Sequence, residues 1–200
     1  MAISVRSFTG ATAREYKKDL ARLRIAVFRE YPYLYDGTLA YEEKYLDTFM
    51  QAPENIIVVA FDGDQVVGVS TGIPMKNEPE AISKAWEAAG YEIDKIFYLS
   101  ESVLLKTYRG RGIGGRFFEE RERWARSLHY ETATFCGVIR PHDHPAKPAD
   151  FIPLDAFWQK RGYERKDGFT CTMSWKEVGE MEESGKELQF WSKLLSQHQD

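Results

Sequence analysis

The chain has only two cysteines, Cys136 and Cys171, which excludes a disulfide framework and, taken alone, a zinc site. Both fall in strand-like apolar runs and read as reduced core residues. With 8 prolines and 15 glycines among 200 residues it is too poor in both for a disordered chain. No stretch approaches the roughly 20 apolar residues that span a bilayer, and Met1 to Phe8 lacks an apolar signal core, so no membrane and a cytoplasmic location are expected. There is no excess of positive charge either. The formal net charge is -4, which excludes the chain-wide basic field that nucleic-acid binding uses, so any anion site must be local.

What is present is an ordinary globular composition, 43% hydrophobic and 29% charged, in a length that one domain can fill. Ile3 to Ser7 alternates like an edge strand, and Tyr16, Leu20, Leu23 and Val27 recur at helical spacing from about Ala13 to Glu30. Ile56 to Phe61 and Val66 to Thr71, joined by Asp62-Gly63-Asp64, predict an antiparallel hairpin. Ile96 to Leu105 predicts one long buried strand, and Gly112 opens a helix with Phe117, Phe118, Trp124, Ala125 and Leu128 on its apolar face. Strands follow at Thr132 to Val138 and Phe169 to Trp175, with a short helix, Leu154 to Lys160, between them. The fold class is therefore α/β in the α+β sense. A domain over residues 1–176 is expected, followed by a separate acidic extension, 177–200, anchored by Phe190 and Trp191 on its own domain or on a twin subunit in a homodimer.

The turn Tyr108-Arg109-Gly110-Arg111-Gly112-Ile113-Gly114-Gly115 joins a strand to a helix, where successive amides and the helix dipole suit a phosphate. From Lys106 to Arg126 there are seven basic residues against three acidic ones. A P-loop would need Lys-Ser/Thr after Gly115, where Arg116-Phe117 stand. The dinucleotide pattern is formally met by Gly110, Gly112 and Gly115, but four residues separate them from the strand and the preceding elements read as antiparallel.

The third pattern, Arg-x-x-Gly-x-Gly at Arg109, Gly112 and Gly114, together with Val103 to Gly114 around it, resembles the acetyl-CoA motif of the GNAT superfamily of N-acetyltransferases. Ala156-Phe157-Trp158-Gln159-Lys160-Arg161-Gly162-Tyr163 is similar to that superfamily's helix-then-Gly-aromatic motif. The resemblance implies a mixed, mostly antiparallel sheet flanked by helices, with acetyl-CoA as cosubstrate. It assigns the pyrophosphate to the amides of Arg109, Gly110, Arg111, Gly112, Ile113, Gly114 and Gly115, with Phe157 nearby. The pantetheine arm would pair with the backbone of Val103, Leu104 and Leu105. The implied acceptor is a small-molecule amine, with Tyr31, Tyr33 and Tyr35 edging its pocket.

For the chemistry, Glu101 is a candidate general base, because a carboxylate inside an apolar strand is costly to leave unpaired. His142, with His144 beside it, lies in a loop that in such enzymes nears the acyl-transfer centre, so either is a second candidate. A His-x-His pair without a third ligand gives no metal site. The superfamily's thiolate-protonating tyrosine falls at Trp158, which cannot supply that proton, and the acid stays unassigned. The alternative to an enzyme is an acyl-CoA sensor without turnover.

Overall fold

The computed structural model describes residues 3–196. In chain order the elements are β1 (Ile3–Thr9), α1 (Gly10–Ala13), α2 (Lys17–Phe28), α3 (Leu39–Gln51), β2 (Ile56–Asp62), β3 (Gln65–Pro74), α4 (Glu80–Ala88), β4 (Ile96–Tyr98) and β5 (Ser102–Leu104). They continue with α5 (Ile113–Ser127), β6 (Thr132–Val138), α6 (Asp155–Lys160), β7 (Glu164–Trp175) and β8 (Ser184–Leu194). The eight strands form one mixed sheet in the order β1-β2-β3-β4-β6-β8-β7, with β5 pairing only with β3. Every pair is antiparallel except β4 with β6. No helix among the described residues is long and apolar enough to cross a membrane.

Helices cover both faces of the sheet's first half, which explains why β2 is a continuous apolar run rather than an alternating one. Ile56, Val58 and Ala60 pack with Phe117, Phe118 and Ala125 of α5. Ile57, Val59 and Phe61 point the other way, onto Leu20 and Leu23 of α2 and Leu46 and Phe49 of α3.

Two sequence expectations are corrected. Ile96 to Leu105 is not one strand but two short ones, broken at Leu99 to Glu101. Residues after 176 are not an appended extension either, since Ser184–Leu194 is an inner strand with β6 on one side and β7 on the other. Phe190 and Trp191 are buried in the chain's own sheet, opposite Cys136 and Phe135 of β6, so neither is left over to anchor a twin subunit. Of the acidic residues before them, Glu177, Glu180, Glu182 and Glu183 form the approach to this strand and Glu187 lies within it, and residues 197–200 lie outside the described residues.

Candidate active site

The break between β4 and β5 opens a wedge in the sheet. β4 runs beside β6 as far as Tyr98↔Thr134, and the Leu99 amide still donates to the Thr134 carbonyl at 2.8 Å. The chain then turns away from β6. The Ser100 amide bonds Thr71 O of β3 at 3.1 Å, and Val103 pairs with Val69 of the same strand. Among the described residues the far edge of β5 therefore has no strand partner, while β6 continues through Phe135 to Val138 bonded only to β8. An unpaired edge facing such a gap is suited to an extended ligand rich in amides.

Arg121 of α5 plugs the break. Its guanidinium donates to Thr71 O at 3.0 Å, Glu101 O at 3.2 Å, Ser102 Oγ at 3.0 Å and Phe117 O at 3.1 Å. All four acceptors are neutral oxygens, and burial lowers the pKa of Arg121 to about 10, so it remains charged at neutral pH.

At the outer end of β5 the glycine turn leads into α5. Gly112 is the residue preceding the helix and lies in the left-handed region at φ +78°, which costs glycine little. The amides of residues 110 to 115 have no carbonyl partner among the turn and cap hydrogen bonds of the described residues. A Cβ on Gly110 or Gly112 would meet open space, whereas on Gly115 it would run into the Arg161 guanidinium. Gly115 is therefore a packing glycine. The Phe157 ring lies 3.5 Å from where a Gly114 Cβ would be. Arg109 bonds Leu104 O at 3.1 Å and pairs with Glu30 at 2.9 Å, while Arg111 bonds Thr107 O at 3.0 Å, so both arginines brace the turn from within. Val103 is fully buried and Leu104 and Leu105 pack on the core, which leaves their main chain as the part a ligand could use. The loop thus fits a diphosphate, and the β5 edge fits the amide chain attached to it.

At the inner end of the wedge, beside Ser100 and Glu101, a pocket opens among α2, α3, β6 and β7. Glu101 is buried there, but it is not unpaired. One carboxylate oxygen accepts from Arg24 of α2 and, at 3.4 Å, from the Tyr45 hydroxyl; the other accepts from Thr71 Oγ1. Arg24 also donates to Glu42 at 2.5 Å, and its guanidinium sits 4.6 Å from the Tyr45 ring centre. Burial opposes the charge on Arg24, yet Glu101 and Glu42 hold its pKa above the ordinary value. Glu78 stands opposite, accepting from Ser100 Oγ at 2.9 Å. Desolvation, with the neighbouring charge of Glu101 second, pushes Glu78 up to about 7.

Of the expected acceptor contacts, Tyr33 and Tyr35 line this pocket. Tyr31 does not; it packs outside, 4.7 Å from the Phe151 ring and 5.6 Å from that of His144. His142 is exposed in the same outer loop and is not among the pocket's lining residues, because Arg140 ties the start of that loop to Pro32 O and to the Glu177 carboxylate. Trp158 packs edge-on against Trp191 and covers Gly137, and the Tyr163 hydroxyl is held by Glu122 at 3.1 Å, so neither faces the pocket.

The sequence reading missed Arg24, Arg121 and Glu78. The two arginines carried a signal. Arg24 directly follows Leu23 on an apolar helix face, and Arg121 stands three or four residues from Phe117, Phe118 and Ala125. A charge at such a position needs a buried partner. Glu78, in the stretch Lys76-Asn77-Glu78-Pro79, carried none.

No curated protein matches the chain. Among solved structures it is similar to a ribosomal-protein-alanine N-acetyltransferase from Brucella melitensis, at TM-score 0.62 and 17% identity, over 96% of this chain and 99% of that one. It is also similar to an N-acetyltransferase from Staphylococcus aureus Mu50, at 0.61 and 15% over 98% and 100%. A third likeness is to yncA from Salmonella typhimurium, solved with its cofactor acetyl-CoA, at 0.57 and 12% over 100% and 98%. These likenesses bear on the fold. The family profile described as Acetyltransferase (GNAT) family matches residues 20–163, most of the chain and all of the wedge, the glycine turn and α6. The chain belongs to that family and is an acyltransferase that uses acetyl-CoA as cosubstrate.

Proposed function

We propose that the acetyl group passes to the amine of a small molecule bound in the pocket at the inner end of the wedge, and that Glu78 takes the amine's proton. The observation that carries this reading is the placement of the Glu78 carboxylate on the pocket wall, bonded at 2.9 Å to Ser100 Oγ two residues before the open β5 edge, where burial and the charge of Glu101 push it up to about 7. A base is most effective when its pKa lies near the working pH. Glu101, the base expected from the sequence, is engaged by Arg24, Thr71 and Tyr45. We assign it a positioning role: it neutralises Arg24 and raises Glu78.

Acetyl-CoA supplies a thioester whose carbonyl carbon is the electrophile. The main chain of Ser102–Leu104 would orient the pantetheine arm, and the amides of residues 110 to 115 would hold the diphosphate at the N-terminus of α5. Glu78, directly or through one water, accepts the ammonium proton so that the amine lone pair can attack; the new C–N bond forms as C–S breaks, and the remaining extra nitrogen proton passes to the departing thiolate, giving the neutral amide and the CoA thiol. The thiolate leaves without a protein acid from α6, since thiols are already fairly acidic. The free thiols Cys136 and Cys171, with sulfurs 3.9 Å apart, support a reducing compartment such as the cytoplasm.

The test is release of the CoA thiol from acetyl-CoA in the presence of small amines, wild type against Glu78→Gln. The expected result is a loss of about 10²-fold or more in kcat with the acetyl-CoA-induced rise in melting temperature retained. Unchanged turnover in the variant would move the base elsewhere.

A further inference from the structure

We infer that the acceptor is a primary amine on a compact, apolar, uncharged body, one aromatic ring or its equivalent, and that it carries no carboxylate or phosphate. This rests on the acetyl-transfer reading above and adds the chemistry that selects the acceptor.

Charge is the first argument. The ionisable side chains of the pocket other than tyrosines and Cys136 are Arg24, Glu78 and Glu101. Arg24 is already held between two carboxylates, Glu101 and the fully buried Glu42. Two further cations that touch pocket residues are engaged as well. Arg140 bonds Pro32 O at 2.7 Å, Tyr33 O at 3.1 Å and the Glu177 carboxylate, and Lys186, 5.8 Å from the Trp175 ring centre, bonds Glu180 at 3.2 Å. Among the described residues the pocket thus offers an anion no free positive partner, and Glu78 and Glu101 would repel it. A buried charge left in that position is expensive. An ammonium meets the opposite, two carboxylates at the end that adjoins β5.

Size and surface are the second. The cavity is about 110 Å³, below the range usual for pockets that enclose a whole drug-sized ligand, so one ring or a short chain fills it. Away from the carboxylates its walls are mostly aromatic and aliphatic, Phe28, Tyr33, Tyr35, Trp175, Met173 and Leu188 among them. These bury apolar surface well and give a second cationic group no carboxylate to pair with, which disfavours diamines as well as amino acids.

The experiment uses the wild-type chain with saturating acetyl-CoA and three acceptors: 2-phenylethylamine, phenylalanine, which adds a carboxylate to the same body, and 1,4-diaminobutane, which replaces the ring with a second cation. Turnover is read as kcat/KM, and binding separately by calorimetry in the presence of CoA. The expected result is that 2-phenylethylamine exceeds phenylalanine by about 10²-fold and the diamine by about tenfold in both measurements. Phenylalanine within tenfold of 2-phenylethylamine, a preference for the diamine, or no binding of 2-phenylethylamine would overturn the inference. Binding with the expected preference but no thiol release would leave the pocket's selectivity standing and overturn the acetyl-transfer reading instead.

Discussion

The guanidinium of Arg121 lies 3.2 Å from the main-chain oxygen of Glu101, joining the helix led by the glycine turn to the break that opens the sheet. One cation therefore fixes the two ends of the wedge relative to each other, the glycine turn and the carboxylates of the pocket. Because Arg121 is fully buried and all four of its bonds go to neutral oxygens, a methionine there would fill part of the volume and satisfy none of them. Arg121→Met should lower stability by about 2 kcal/mol or more, read by urea unfolding. In the fraction that stays folded, KM for acetyl-CoA should rise. Arg121→Lys keeps the charge but reaches fewer of the oxygens, so it should recover only part of both effects.

Gly112 and Gly115 separate two reasons for glycine in one turn. Gly112→Glu has room for its side chain, at the cost of a strained backbone, and places a carboxylate among the unpaired amides. The folded variant should lose the acetyl-CoA-induced rise in melting temperature through charge repulsion. Gly115→Ala pushes against Arg161 instead, so it should lower the melting temperature of the free protein while keeping a measurable acetyl-CoA shift. Equal shifts in wild type and Gly112→Glu would remove the diphosphate from this loop.

Glu101→Gln tests positioning against direct proton transfer. The variant leaves Arg24 with Glu42 as its one carboxylate partner and takes a negative charge away from Glu78. Stability should fall, and the acidic limb of the kcat profile should move to lower pH as Glu78 loses the neighbour that helps raise it. A base removed outright would flatten that limb and reduce kcat at every pH. The pH profile therefore distinguishes the two roles where a single rate could not.

The hairpin of β2 and β3, the glycine turn and the helix behind it were legible because their signals are local: alternation, a tight turn, a strand-to-helix junction. The break after Tyr98 was not, since Ser100-Glu101-Ser102 sits in an otherwise apolar run and the group that holds it, Arg121, is 20 residues further on. β8 was hidden for a similar reason. Glu182 and Glu183 before it and Glu187 within it make it read as a solvated tail, and only pairing of Trp191 with Phe135 and Arg165 reveals an inner strand. The pocket's acid was the least legible of all. Nothing in the sequence around Glu78 distinguishes it, and its pKa depends on Glu101, which the fold brings there from 23 positions away.

Glu78 also makes a prediction about stability with a definite sign. Its carboxyl is raised from the ordinary range to about 7 in the folded chain, so between about 4.3 and about 7 the folded state binds more protons than the unfolded state. Stability from the neutral carboxyl is complete below that window and lost as pH rises through it. Activity runs the other way, because only the ionised form can accept a proton, and kcat should climb across the same interval. Glu78→Gln keeps a neutral, hydrogen-bonding side chain against Ser100 at every pH. Its stability relative to wild type should therefore be greater at pH 8 than at pH 5, while its kcat stays low at both. Urea unfolding of the two proteins at the two pH values measures this directly. A variant equally displaced from wild type at pH 5 and pH 8 would mean that Glu78 titrates alike in the folded and unfolded chain, and with that the argument for it as the base would fail.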